Sequence, residues 1–209
     1  MGHIAKVIGK VILAAVFMLS TFCYYTTPTY AASDFDIITV DLHVGGTISI
    51  VCTGTVTMGA ITGTGQSNLA TNSATCTIIT GNATGYNLNW QASSATMASG
   101  GDTIAAYTPA VANTPETWSV AGADSEWGAH LGASSTTVDT GVWGLADTYA
   151  GGKWLNVNNA ASFEIANRGS NTDPSGDTEY IFFGGEVGAS HFQPTGTYTV
   201  DVTMTATTN

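Results

Sequence analysis

Gly196-Thr197-Tyr198-Thr199-Val200-Asp201-Val202-Thr203-Met204-Thr205-Ala206-Thr207 decides the fold class. Tyr198, Val200, Val202, Met204 and Ala206 fall on one face of this stretch, and the threonines with Asp201 fall on the other. Unbroken period-2 alternation is the pattern of a strand with one buried and one wet face. Threonine is β-branched and polar, so it suits the solvent side of a pleated surface. Gln193-Pro194-Thr195-Gly196 ahead of it reads as a turn. An amphipathic strand of this length needs a sheet beside it and a second layer over its apolar face. The expectation is an all-β chain folded as a single antiparallel β-sandwich.

Working outward, Tyr86, Leu88, Trp90 and Ala92 alternate with Asn87, Asn89, Gln91 and Ser93, the cleanest internal strand pattern. Gly81-Asn82-Ala83-Thr84-Gly85 before it is a turn, preceded by a strand over Cys76–Thr80. Tyr180–Phe183 is a continuous apolar run, as in a buried strand. Val56, Met58 and Ile61 suggest a short strand, as do Thr117–Val120, His130–Leu131, Trp154–Val157, and Phe163 with Ile165. No stretch sustains a 3.6-residue period with caps, so no long helix is expected.

At the other end, Lys6 and Lys10 precede the apolar run Val11–Phe22, and Thr29-Tyr30-Ala31 fits a small-x-small cleavage site. Residues 1–31 are therefore expected to be a signal peptide, with the mature form free of membrane spans. Cleavage would remove two of the four strong bases and none of the 15 acids, leaving Lys153 and Arg168 and a net charge of −13. Such a charge disfavours nucleic acid and anionic membrane as partners.

After Ala31, Ile38, Val40, Leu42 and Val44 alternate with Ile37, Thr39, Asp41 and His43, and Gly45-Gly46 then interrupts the pattern. A glycine pair between two extended segments is a bend or hinge. Residues 32–46 thus read as a separable N-terminal strand with its hinge, and 47–209 as the sandwich domain. Cys52 and Cys76, an even pair in an exported chain, read as one disulfide between neighbouring strands.

Site chemistry is sparse. Neither G-x-S-x-G nor H-E-x-x-H occurs, and His43, His130 and His191 show no ligand spacing. The expectation is no enzyme, no cofactor and no metal. Asn171–Glu179 carries oxygen side chains at alternate positions like the first half of a calcium loop, but Phe182 stands where a closing glutamate belongs. A plain turn is the favoured reading. Asn82-Ala83-Thr84 is a glycosylation sequon expected to be accessible in its turn. Lys153 is the one lysine after Ala31 open to an isopeptide crosslink, and a weak candidate. Trp90, Trp118, Trp127, Trp143 and Trp154 could form a carbohydrate platform, although a core role is favoured.

The order of these features resembles the spore-coat-U-like and chaperone–usher pilin subunits. The resemblance rests on Cys52, on Val56-Thr57-Met58-Gly59, on Ala74-Thr75-Cys76-Thr77, and on the closing Gly196-Thr197-Tyr198 strand. It covers both ends of the chain after Ala31 and not Ser94–Gly176. It implies an Ig-like domain and a secreted or cell-surface homo-polymer, with an assembly chaperone as a possible further partner. In the matching reading Ile38, Val40, Leu42 and Val44 form a donor strand, and the strand with Tyr198, Val200, Val202 and Met204 forms the acceptor edge. The other function class considered is a monomeric carbohydrate-binding or adhesive module.

Overall fold

The computed structural model describes residues 45–69 and 72–209 together with Thr39 and Leu42, and among these described residues it has ten strands and one helical turn. The strands are β1 (Ile48–Cys52), β2 (Gln66–Leu69), β3 (Ala74–Thr80), β4 (Tyr86–Ala92), β5 (Thr96–Ser99), β6 (Asp102–Ala106), β7 (Ser125–Leu131), β8 (Phe163–Arg168), β9 (Asp177–Val187) and β10 (Val202–Thr208). The helical turn α1 (Thr140–Trp143) is capped by the Asp139 carboxylate, which accepts from the Gly141 amide at 2.8 Å.

Two sheets pack face to face. The larger runs β1-β3-β9-β7-β6-β5, with β2 joining β9 beyond the end of β3. The smaller runs β10-β4-β8. All strand pairs are antiparallel except β6 with β7, so the sandwich is not purely antiparallel. The core lies between the sheets. Tyr86, Leu88, Trp90 and Ala92 of β4 meet Cys76 and Ile78 of β3, Trp127, Ala129 and Leu131 of β7, and Ile181 of β9. In β8 the consecutive residues Ile165 and Ala166 are both buried, because the register with β4 slips between Leu88 and Asn89.

Irregular chain covers the outer face of β7 and β9. Trp127, Ala129 and Leu131 face the main core, while Gly128 faces a second cluster, where a Cβ on it would meet Trp118, Tyr107 and the Leu155 carbonyl. That cluster is Tyr107, Trp118 and Trp154, with Val120, Tyr149 and Phe182 against it. Tyr107 stacks on Trp118 with ring centres 4.6 Å apart, and Trp154 meets Trp118 edge-on at 5.4 Å. His130 is fully buried here, with Nδ1 3.1 Å from the Lys153 carbonyl and Nε2 3.1 Å from Asp147 Oδ1, fastening the 147–153 loop to β7.

Several expected strands are corrected. Trp154–Val157 contributes bridges to Glu116 and Ala129 rather than a strand, and Thr117–Val120 is no strand. Near Val56–Ile61 there is a single bridged residue, Met58, and the strand comes later as β2. The closing strand begins at Val202, because Thr199 pairs with Ala98 of β5 while Val202–Thr208 pairs with β4.

Candidate functional site

The strand pairing leaves β1 at one edge of the larger sheet and β10 at one edge of the smaller. Among the described residues β1 pairs only with β3, and β10 forms its ladder only with β4. The two edges approach each other within 8 Å between Cα atoms without forming a ladder. Both also reach the turn after β3, where the Gly81 amide donates to the Thr47 carbonyl and the Asn209 amide to Gly85. Ile48 and Thr208 therefore lie at the same end of this seam.

Alternation persists on both edges, but burial is incomplete. Ile48, Ile50 and Cys52 point inward from β1 and are half-buried, whereas Ser49 and Val51 are exposed. Tyr198, Val200, Val202, Met204 and Ala206 point inward along the closing stretch and are likewise half-buried. All eight inward residues pack against the main core. Their counterparts on the central strand β4 are fully or almost fully buried. A sandwich core should cover such side chains on both flanks, and among the described residues the seam is an apolar strip covered on one flank only.

The disulfide holds this edge. Cys52 and Cys76 are bonded, as expected, and stand directly opposite each other in the β1–β3 register, which puts the bond along a sheet edge rather than across the sandwich. Beyond it the Thr53 amide donates to the Thr75 carbonyl at 3.0 Å.

The residues expected to form an acceptor edge, Tyr198, Val200, Val202 and Met204, lie together on one face. Of those expected to form a donor strand, Ile38, Val40 and Val44 lie outside the described residues, and Leu42 is exposed. The proposed cleavage site at Ala31 also lies outside them.

The other candidates resolve differently. All five tryptophans are buried, Trp118 being the most exposed at 9 %, so they form no surface platform. Asp177 and Glu179 point into the core and Asp173 serves a turn, its carbonyl accepting from Gly176, so the 171–179 oxygens do not converge. No cluster of three or more potential metal ligands occurs among the described residues. The sequon expected to be accessible is only partly so. Asn82 is half-buried, and its Nδ2 lies 2.8 Å from Thr84 Oγ1, 3.0 Å from the Gly85 carbonyl and 3.1 Å from the Asn209 carbonyl. Lys153 Nζ donates to the Gly141 carbonyl at 2.9 Å, in an exposed contact.

Sequence reasoning missed the polar junction between the sheets. Tyr86 of β4 reaches Asp177 and Glu179 of β9, and Arg168 of β8 pairs with Asp177 at 2.9 Å. The signal was available: Asp177 and Glu179 share a strand face with Ile181, two acids at inward positions.

What the fold and the seam define is a disulfide-stapled, all-β sandwich in which, among the described residues, the β1 and β10 edges lie side by side without pairing. No helix among the described residues is long and apolar enough to cross a membrane. Comparison with protein-family models, curated proteins and solved structures finds no match.

Proposed function

We propose that this chain is the structural subunit of a non-covalent extracellular or cell-surface fibre, in which residues 36–44 of one copy fill the β1–β10 seam of the next. The observation that supports it is the half-buried apolar strip on two edges that lack a ladder partner among the described residues. An added strand would pair with edge backbone groups, and its alternate side chains would cover the strip. Ile38, Val40, Leu42 and Val44 supply one apolar side chain at every second position, matching that need. Each could contribute roughly 1.5–3 kcal/mol on full burial. In this reading the chain is exported and has no catalytic role, and the spore-coat-U and pilin resemblance describes its relatives in architecture. The carbohydrate-binding alternative gains nothing from the tryptophans, which are buried.

Deleting residues 32–44 tests the reading. The truncated protein should remain folded and monomeric, and a peptide of residues 36–44 should bind it and block its capacity to accept full-length subunits. Normal fibres from the truncated protein, or a full-length monomer with this segment paired in its own sheet, would overturn it.

A further inference from the structure

Glu179 is the most deeply buried acid in the sandwich, with no exposed surface. It sits in β9 opposite Cys76 of β3, between the inward residues Asp177 and Ile181. Its Oε1 lies 3.1 Å from the Tyr86 hydroxyl, 2.9 Å from Thr137 Oγ1 and 3.2 Å from the Thr137 amide. The same Tyr86 hydroxyl lies 3.1 Å from Asp177 Oδ2. A phenol has one proton to donate and here faces two carboxyl groups. One of the two contacts therefore needs a proton carried by a carboxyl, or it is a repulsion between oxygens. Arg168 decides which. Its guanidinium pairs with Asp177, whereas no cation pairs with Glu179 among the described residues.

We propose that Glu179 is a proton-binding site, a neutral carboxylic acid in the folded protein whose proton fastens β4 of the smaller sheet to β9 of the larger. The order is Arg168 to Asp177, Asp177 to the Tyr86 hydroxyl, and the hydroxyl to the Glu179 acid proton, with Thr137 holding the same carboxyl from the 132–137 segment. The groups facing Glu179 are Tyr86 from β4, Asp177 from its own strand and Thr137; Arg168 from β8 reaches it through Asp177, and β3 contributes the Cys76 disulfide, which does not titrate. Burial pushes the Glu179 carboxyl upward and the Asp177 charge adds to this, outweighing the donation from Thr137, and from Tyr86, that an ionised Glu179 would receive. Tyr86 is also pushed up, first by burial and then by the two neighbouring acids, so the phenol keeps its proton.

The sign of the linkage follows. A carboxyl raised in the folded state contributes stability that is complete below its unfolded pKa and is lost as pH rises through the folded value. Within that window each pH unit weakens the folding equilibrium about tenfold from this group alone.

Two measurements test it on the full-length protein. The carboxyl carbon shift of Glu179, followed by NMR against pH, should titrate well above the ordinary glutamate range. Thermal unfolding of the wild type should carry a decline across that same window, and Glu179→Gln, which keeps a donor without a charge, should remove that component. A Glu179 resonance titrating in the ordinary range overturns the proposal, whether or not the variant folds. So does a folded Glu179→Gln protein with the wild-type pH slope.

Discussion

Asn82 shows how far one residue's role can depart from its motif. The sequon and its turn were both legible, and the turn is where it was expected. The occupied Nδ2 was not legible, because its partners include Asn209, which is remote in sequence and reaches the turn only after the sheets have formed. Asn209 adds its own donations from Nδ2 to the Thr84 and Arg168 carbonyls at 2.9 and 2.8 Å. Gly85 belongs to the same knot: its φ is +81°, and a Cβ there would collide with the Arg168 carbonyl. Asn82→Asp keeps the shape of the side chain, removes its donors and aims a carboxylate at the Gly85 and Asn209 oxygens. It should cost about 1–3 kcal/mol and lower the Tm further than Asn82→Ala. Paired thermal melts of the two variants check this, and an Asp variant as stable as wild type would refute the knot.

At the scale of the element, legibility tracked how many faces are buried. The closing strand and β4 have one buried and one wetter face, so their alternation could be read directly. β7 is buried at all seven positions, under the main core on one side and the Tyr107–Trp118–Trp154 layer on the other. Its sequence, Ser125-Glu126-Trp127-Gly128-Ala129-His130-Leu131, has no alternation to read, and only its last two residues were recognised as strand. β9 was recognised at Tyr180–Phe183 but continues through Gly184 and Gly185, where the Tyr149 hydroxyl and β2 crowd the backbone. β1 is the second of the two extended segments that Gly45-Gly46 separates, and its disulfide was legible. As an edge strand with one ladder neighbour among the described residues, it depends on that bond more than an internal strand would. Replacing Cys52 and Cys76 together with serine should destabilise the protein by roughly 3 kcal/mol. Hydrogen exchange should show the amides of 48–52 losing protection first, while β4 and β9 stay slow. Uniform loss of protection across both sheets would instead place the bond in the global folding unit.

At the scale of the molecule, charge and edge act together. With residues 1–31 removed the chain carries a net charge of −13, so approaching subunits repel at neutral pH and low salt. Lowering the pH toward the isoelectric point of about 4.3 for the whole chain, or adding divalent cations, should promote association. Acid should also keep Glu179 protonated, so the subunit stiffens under the same conditions that let it assemble. Light scattering across both titrations measures the response, but scattering alone does not separate ordered growth from precipitation near the isoelectric point. The 32–44 deletion does. Growth through the β1–β10 seam needs both the seam and a donor segment, so the truncated protein should lose its acid response while the full-length protein keeps it. Precipitation driven by charge neutralisation needs neither, and would leave the two proteins alike. A flat trace for the full-length protein in both titrations would count against an assembling subunit altogether.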